Sequence, residues 1–87
     1  MAGISRARER QAETMIALRH GWAMRWRDAI CEDTVGRPDC LVLGALLAGG
    51  RNGLAASYVC AVLATADFSA VEVDSSLRRL RRLGIVA

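Results

Sequence analysis

Asp67-Phe68-Ser69-Ala70-Val71-Glu72-Val73-Asp74-Ser75-Ser76-Leu77-Arg78-Arg79-Leu80-Arg81-Arg82-Leu83-Gly84-Ile85-Val86 reads as one helix with both ends marked. Ser69 and Glu72 have the S-x-x-E spacing of a capping box, in which each side chain accepts from an orphan N–H of the first turn. Phe68 and Val73 stand at the two positions of a hydrophobic staple. Gly84 suits a left-handed residue just past the C-terminus, with Ile85 placed to touch Leu80 in a Schellman motif. Val73, Leu77, Leu80 and Gly84 recur on one face. Ser75, Arg78, Arg79 and Arg82 lie on the other, with Arg81 on the flank. Such a helix is either an amphipathic element with a solvated basic face or a recognition helix for nucleic acid.

The remaining sequence sets the frame. The chain has 87 residues, room for one small domain with a modest core. Hydrophobic residues make up 53% and aromatic residues 5%, an aliphatic globular composition rather than a disordered one. Net charge is +3, and all 12 basic residues are arginine, whose planar fork binds phosphate and carboxylate. Both ends are basic and the middle is acidic, so pairing within or between chains competes with polyanion binding. No apolar run reaches membrane-span length and no signal-peptide core is present, so a cytoplasmic protein without membrane contact is expected. Cys31, Cys40 and Cys60 lack metal or redox spacing, and reduced, mostly buried thiols are expected. His20 is the only histidine and has no ligand partner nearby in sequence. No nucleophile–base pair, carboxylate pair or cofactor fingerprint appears. No catalytic residue, metal or cofactor is therefore expected.

Residues 2–33 carry a stripe at helical spacing that includes Ile4, Met15, Ile16, Arg19, Trp22 and Trp26. It reads as one long amphipathic helix, with Gly21 as a place to bend or break. A helix of that length exceeds what a three-helix core can cover, which implies a partner, most simply a second copy. Ile4, Met15, Ile16, Arg19, Trp22 and Trp26 are its expected contact residues, the tryptophans as anchors. Alternatively the tryptophans pack on the chain's own core, or stack on bases with the neighbouring arginines on phosphates.

Glu32 to Pro38 forms a connector, with Pro38 and Asp39 suited to a helix start. The helix from Asp39 to about Ala48 is apolar nearly all round and should be the buried centre. Gly49 to Gly53 reads as a turn without P-loop spacing. Residues 56–66 make a further helix. The expected architecture is all-α: a long N-terminal helix over residues 1–33, then a three-helix domain over residues 38–87.

The order of residues 41–86 resembles the winged helix-turn-helix family of DNA-binding regulators. The run Val73 to Val86 is similar to that family's recognition helix ending in Leu-x-x-Leu-x-x-x-Gly-hydrophobic-Val, and Leu54 to Val59 is similar to its entry into the second helix. The resemblance implies that Ser75, Ser76, Arg78, Arg79, Arg81 and Arg82 meet the major groove or its flanking phosphates. It implies that Ser57 and Tyr58 sit where the second helix crosses the backbone. The sequence departs from the pattern at several places. Ala87 comes where a wing hairpin would start, so no wing is expected. The connection from Leu63 to Val73 is long. Ala55 replaces a capping Ser or Thr, and Glu72 and Asp74 put negative charge on the first turn. Two functions follow. One is a small dimeric DNA-binding transcription regulator reading the major groove of double-stranded DNA with residues 70–83. The other is a protein-interaction module (adaptor, chaperone or small phage-type inhibitor) whose arginine face docks on an acidic protein surface.

Overall fold

A computed structural model describes residues 15–49 and 53–87. Its elements, in chain order, are β1 (Met15–Ile16), α1 (Trp22–Cys31), α2 (Arg37–Gly49), β2 (Leu54–Ala55), α3 (Ala56–Ala64) and α4 (Ala70–Arg82). The described residues are thus mostly helical, with one two-stranded antiparallel sheet pairing Met15 with Ala55 and Ile16 with Leu54. No helix among them is long and apolar enough to cross a membrane.

The helices α2, α3 and α4 each pack on the other two. Val42 and Leu46 of α2, Val59 and Leu63 of α3, and Val73, Leu77 and Leu80 of α4 form the core, closed by Ile85 and Val86. Burying each such side chain contributes about 1.5–3 kcal/mol, so this cluster is the main stabilising term. Only one side of α2 is buried: Leu47 is 55% exposed, and Gly44 and Ala48 are also exposed. The expectation of a central helix covered all round is corrected to a helix covered on the face that α3 and α4 supply.

The expected helix through residues 2–33 is corrected over residues 15–21; residues 2–14, with Ile4, lie outside the described residues. β1 is extended, and Leu18 forms an antiparallel bridge with Val86. The Arg19 N–H donates to the Ile85 carbonyl at 2.9 Å, and the Ala87 N–H donates to the Ala17 carbonyl at 3.0 Å. An extended chain advances about 3.3 Å per residue against about 1.5 Å in a helix. That reach lets one short segment meet both the start of α3 and the end of α4. Gly21 then takes φ +79°, the left-handed region that glycine enters at no steric cost, and α1 begins at the next residue. Ile16 is fully buried in the core, so this segment is an integral part of it. Trp22 and Trp26 are half-buried against the same core.

The thiols are free, as expected, but Cys31 and Cys40 are exposed and Cys60 is half-buried. Cys40 follows Asp39 on α2 and points away from the core that Asp39 enters.

Candidate nucleic-acid interface

Both ends of α4 have the anticipated local chemistry. The Ser69 hydroxyl accepts from the Glu72 N–H at 3.2 Å, and the Glu72 carboxylate accepts from the Ser69 N–H at 3.4 Å. Phe68 packs half-buried against the core, and the Arg37 guanidinium lies 5.8 Å from the Phe68 ring centre. At the far end the Ile85 N–H donates to the Leu80 carbonyl at 2.9 Å and the Gly84 N–H to the Arg81 carbonyl at 3.0 Å, with Gly84 at φ +76°. That is the full Schellman pattern. Helix length and orientation are therefore held at both termini.

The inner face carries an ionic anchor. Asp39 is completely buried. Its carboxylate accepts from one Arg79 guanidinium nitrogen at 2.8 and 2.7 Å, from the buried Ser76 hydroxyl, and from the Gly36 N–H at 2.8 Å. Asp39 thus caps the start of α2 and clamps α4 with a single group. Every buried side-chain polar atom among the described residues has a partner. A buried carboxylate is tolerated only with such pairing.

This arrangement sorts the expected DNA-contacting residues. Ser76 is corrected: it is fully buried, with its hydroxyl committed to Asp39, and offers nothing to a groove. Arg79 is about two-thirds covered and spends its charge on Asp39. Ser75, Arg78, Arg81 and Arg82 are exposed. With Val71, 75% exposed, the residues Ser75, Arg78 and Arg82 form a stripe at i, i+4, i+7 and i+11 along the outer face. Arg78 pairs with Asp74 one turn earlier, at 3.0 Å, in a contact exposed on both sides. Ser57 and Tyr58 are exposed on the first turn of α3, and Tyr58 also lines a cleft of about 210 Å³ with Ala45, Ala48, Gly49 and Val62.

The expected dimer-contact residues are likewise divided. Ile16 is corrected: it is a core residue of its own chain, fully buried. Trp22 and Trp26 pack on that core too. Met15 and Arg19 are exposed, and Ile4 lies outside the described residues.

Sequence reading missed two residues of the site. Asp39 is the sole acid between residues 34 and 66, inside an otherwise apolar run, and that isolation is the signal of a buried partner. Arg25 donates to the His20 carbonyl at 2.8 Å and the Gly84 carbonyl at 3.4 Å, joining α1 to the end of α4. No local pattern announces that contact.

Comparison with family models, curated proteins and solved structures returns no match for this chain.

Proposed function

We propose that this protein binds double-stranded DNA with the outer face of α4, as a small helix-turn-helix regulator. The observation that carries the reading is the division of α4. One face is anchored by the core and by Asp39, while Ser75, Arg78 and Arg82 stand exposed in line on the other. A rigid helix that presents arginines on one stripe suits insertion into the major groove. There Arg78 and Arg82 fork onto guanine edges or phosphates, Ser75 bonds to either, and Val71 offers an apolar contact to a thymine methyl. The exposed Arg78–Asp74 pair is weak, so a phosphate displaces Asp74 at little cost. Ser57 and Tyr58 lie where the preceding helix would cross the backbone. In this reading Ile16, Trp22 and Trp26 are engaged with their own core, so among the described candidates Met15 is left for a homodimer contact.

A second reading, docking on an acidic protein surface, is favoured by the apolar cleft beside Tyr58, a contact that DNA does not use, whereas Glu72 and Asp74 on the first turns of α4 oppose either anionic partner.

Fluorescence anisotropy with a short labelled duplex of random sequence separates the two. For the DNA reading, affinity falls by about two decades or more between about 50 and about 200 mM salt, because several phosphate contacts release counterions. Absence of binding at the lower salt, by protein whose circular dichroism is helical, sinks the DNA reading.

A further inference from the structure

The described arginines divide by partner. Arg27 pairs with Asp28, Arg78 with Asp74 and Arg79 with Asp39. Arg37 lies over Phe68. Arg19, Arg25, Arg81 and Arg82 have no Asp or Glu within ion-pair distance among the described residues, and three of these four belong to segments that meet at one place.

Backbone pairing brings them together. The Arg19 N–H is bonded to the Ile85 carbonyl, which holds residue 19 beside the chain that leaves α4. The left-handed turn at Gly21 reverses the chain so that Arg25, in the first turn of α1, reaches back to the Gly84 carbonyl. A Cβ at Gly84 would lie 3.1 Å from Arg25 Cδ, so that side chain lies directly over the helix end. Arg81 reaches the same segment from α4, its Nε–H donating to the Ala87 carbonyl at 3.4 Å. Two guanidiniums, from α1 and α4, therefore lie on residues 84–87, and the exposed Arg19 is held next to that segment by its backbone.

Convergence of like charges is unfavourable unless something offsets it. Part of the offset is the C-terminal end of α4, whose carbonyls carry partial negative charge. That accounts for Arg25 and Arg81, which use one or two donors each on carbonyls. A guanidinium has five N–H donors, so both keep several free for an outside acceptor, and their carbonyl contacts orient them in advance. Arg19 spends no side-chain donor on the described residues.

We propose that Arg19, Arg25 and Arg81 form a second contact, a clamp on the phosphodiester backbone where the C-terminal end of α4 leaves the groove. The proposal rests on the DNA reading above. It adds a partner for Arg19 and Arg25, side chains to which that reading gives no DNA contact. A helix C-terminus by itself repels phosphate; the clamp reverses the sign of the field at that end. Its contacts are to backbone, so it adds affinity without sequence preference.

The test is the salt dependence of anisotropy with a random duplex, for the full chain and for Arg19→Gln, Arg81→Gln and the double variant. Arg25→Lys is added because it keeps the charge while weakening the fork. Each Gln variant is expected to lower affinity uniformly across duplex sequences and to reduce the slope of log K against log salt by about 1, the double variant by about 2. Arg25→Lys is expected to leave the slope nearly intact. Thermal melts followed by circular dichroism check that each variant is folded. Unchanged slopes for folded Arg19→Gln and Arg81→Gln, alongside a reduced slope for Arg82→Gln, overturn the clamp and leave the DNA reading standing. If wild-type protein fails to bind at low salt, both fall.

Discussion

Two members of the arginine cluster in α4, Arg79 and Arg82, have opposite surroundings. Arg79 faces inward, where a fully buried carboxylate and a buried hydroxyl wait for it. Arg82, the last residue of the same basic run, faces outward and meets no acid among the described residues. Side-chain chemistry is identical; placement of a single acid 40 residues earlier in the chain makes one arginine a structural bolt and leaves the other as free charge. An arginine-rich helix is thus not uniformly a polyanion-binding helix. Its binding capacity equals its arginines minus those that the fold has bolted to a buried acid, and by that measure α4 offers Arg78, Arg81 and Arg82.

The comparison breaks most sharply at Asp39. Asp39→Ala removes the acceptor of Arg79, Ser76 and the Gly36 N–H at once. Breaking a buried pair costs about 3–5 kcal/mol, and the partial exposure of Arg79 puts this case at the lower end, about 3 kcal/mol. Urea unfolding monitored by circular dichroism measures it. Replacing Asp39, Ser76 and Arg79 together by leucine, alanine and methionine is expected to recover most of that loss, because it leaves neither an unpaired buried charge nor an orphaned Ser76 hydroxyl. A loss under about 1 kcal/mol for Asp39→Ala would mean that the ionic anchor does not hold α4.

The opposite end of α4 is tested at Gly84. Gly84→Ala places a Cβ in a left-handed conformation, which costs about 1–2 kcal/mol. It also brings that Cβ against Arg25 Cδ and Nε, at 3.1 and 3.2 Å, so the Arg25 side chain must shift. Stability should drop by that amount in the same urea experiment. The salt slope for DNA should flatten only if the guanidinium leaves its position.

How much of this was legible from sequence depends on how far apart the partners lie. The capping box and the Schellman turn join residues within six positions of one another, and each is as the spacing suggests. The core face of Val73, Leu77 and Leu80 follows from period alone. Ser76 sits one step round the helix from Leu77, and nothing local says that an acid lies beneath it. The sequence around Asp39 shows only an ally of the helix dipole, because its distant role is set by packing. Residues 15–21 failed differently. Met15, Ile16, Arg19 and Trp22 fit a helical stripe, yet Ile16 and Leu18 also alternate as a strand does, and the choice is made by Leu54 and Val86, which supply backbone partners. Gly21, noted as a place to break, was the local clue. The winged helix-turn-helix resemblance remains a similarity of order and spacing, carried by the α4 pattern and the glycine turn.

The smallest effect is the most discriminating one. Asp74 and Arg78 are exposed and one turn apart, and such pairs contribute at most about 0.5 kcal/mol, so Asp74→Asn should leave stability almost unchanged. Its effect on binding should be larger than its effect on folding. If phosphates lie along the outer face of α4, removing Asp74 takes away a repulsive charge and releases Arg78, so affinity for a random duplex at low salt rises several-fold. The gain should shrink as salt rises, because screening weakens the repulsion that the substitution removes. If an acidic protein surface is the true partner, the same substitution strengthens that contact, but any residual DNA binding stays as weak as before. A folded Asp74→Asn protein with unaltered DNA affinity at low salt would put the duplex somewhere other than the face bearing Arg78, and would leave the division of α4 into bolted and free arginines as a property of its fold alone.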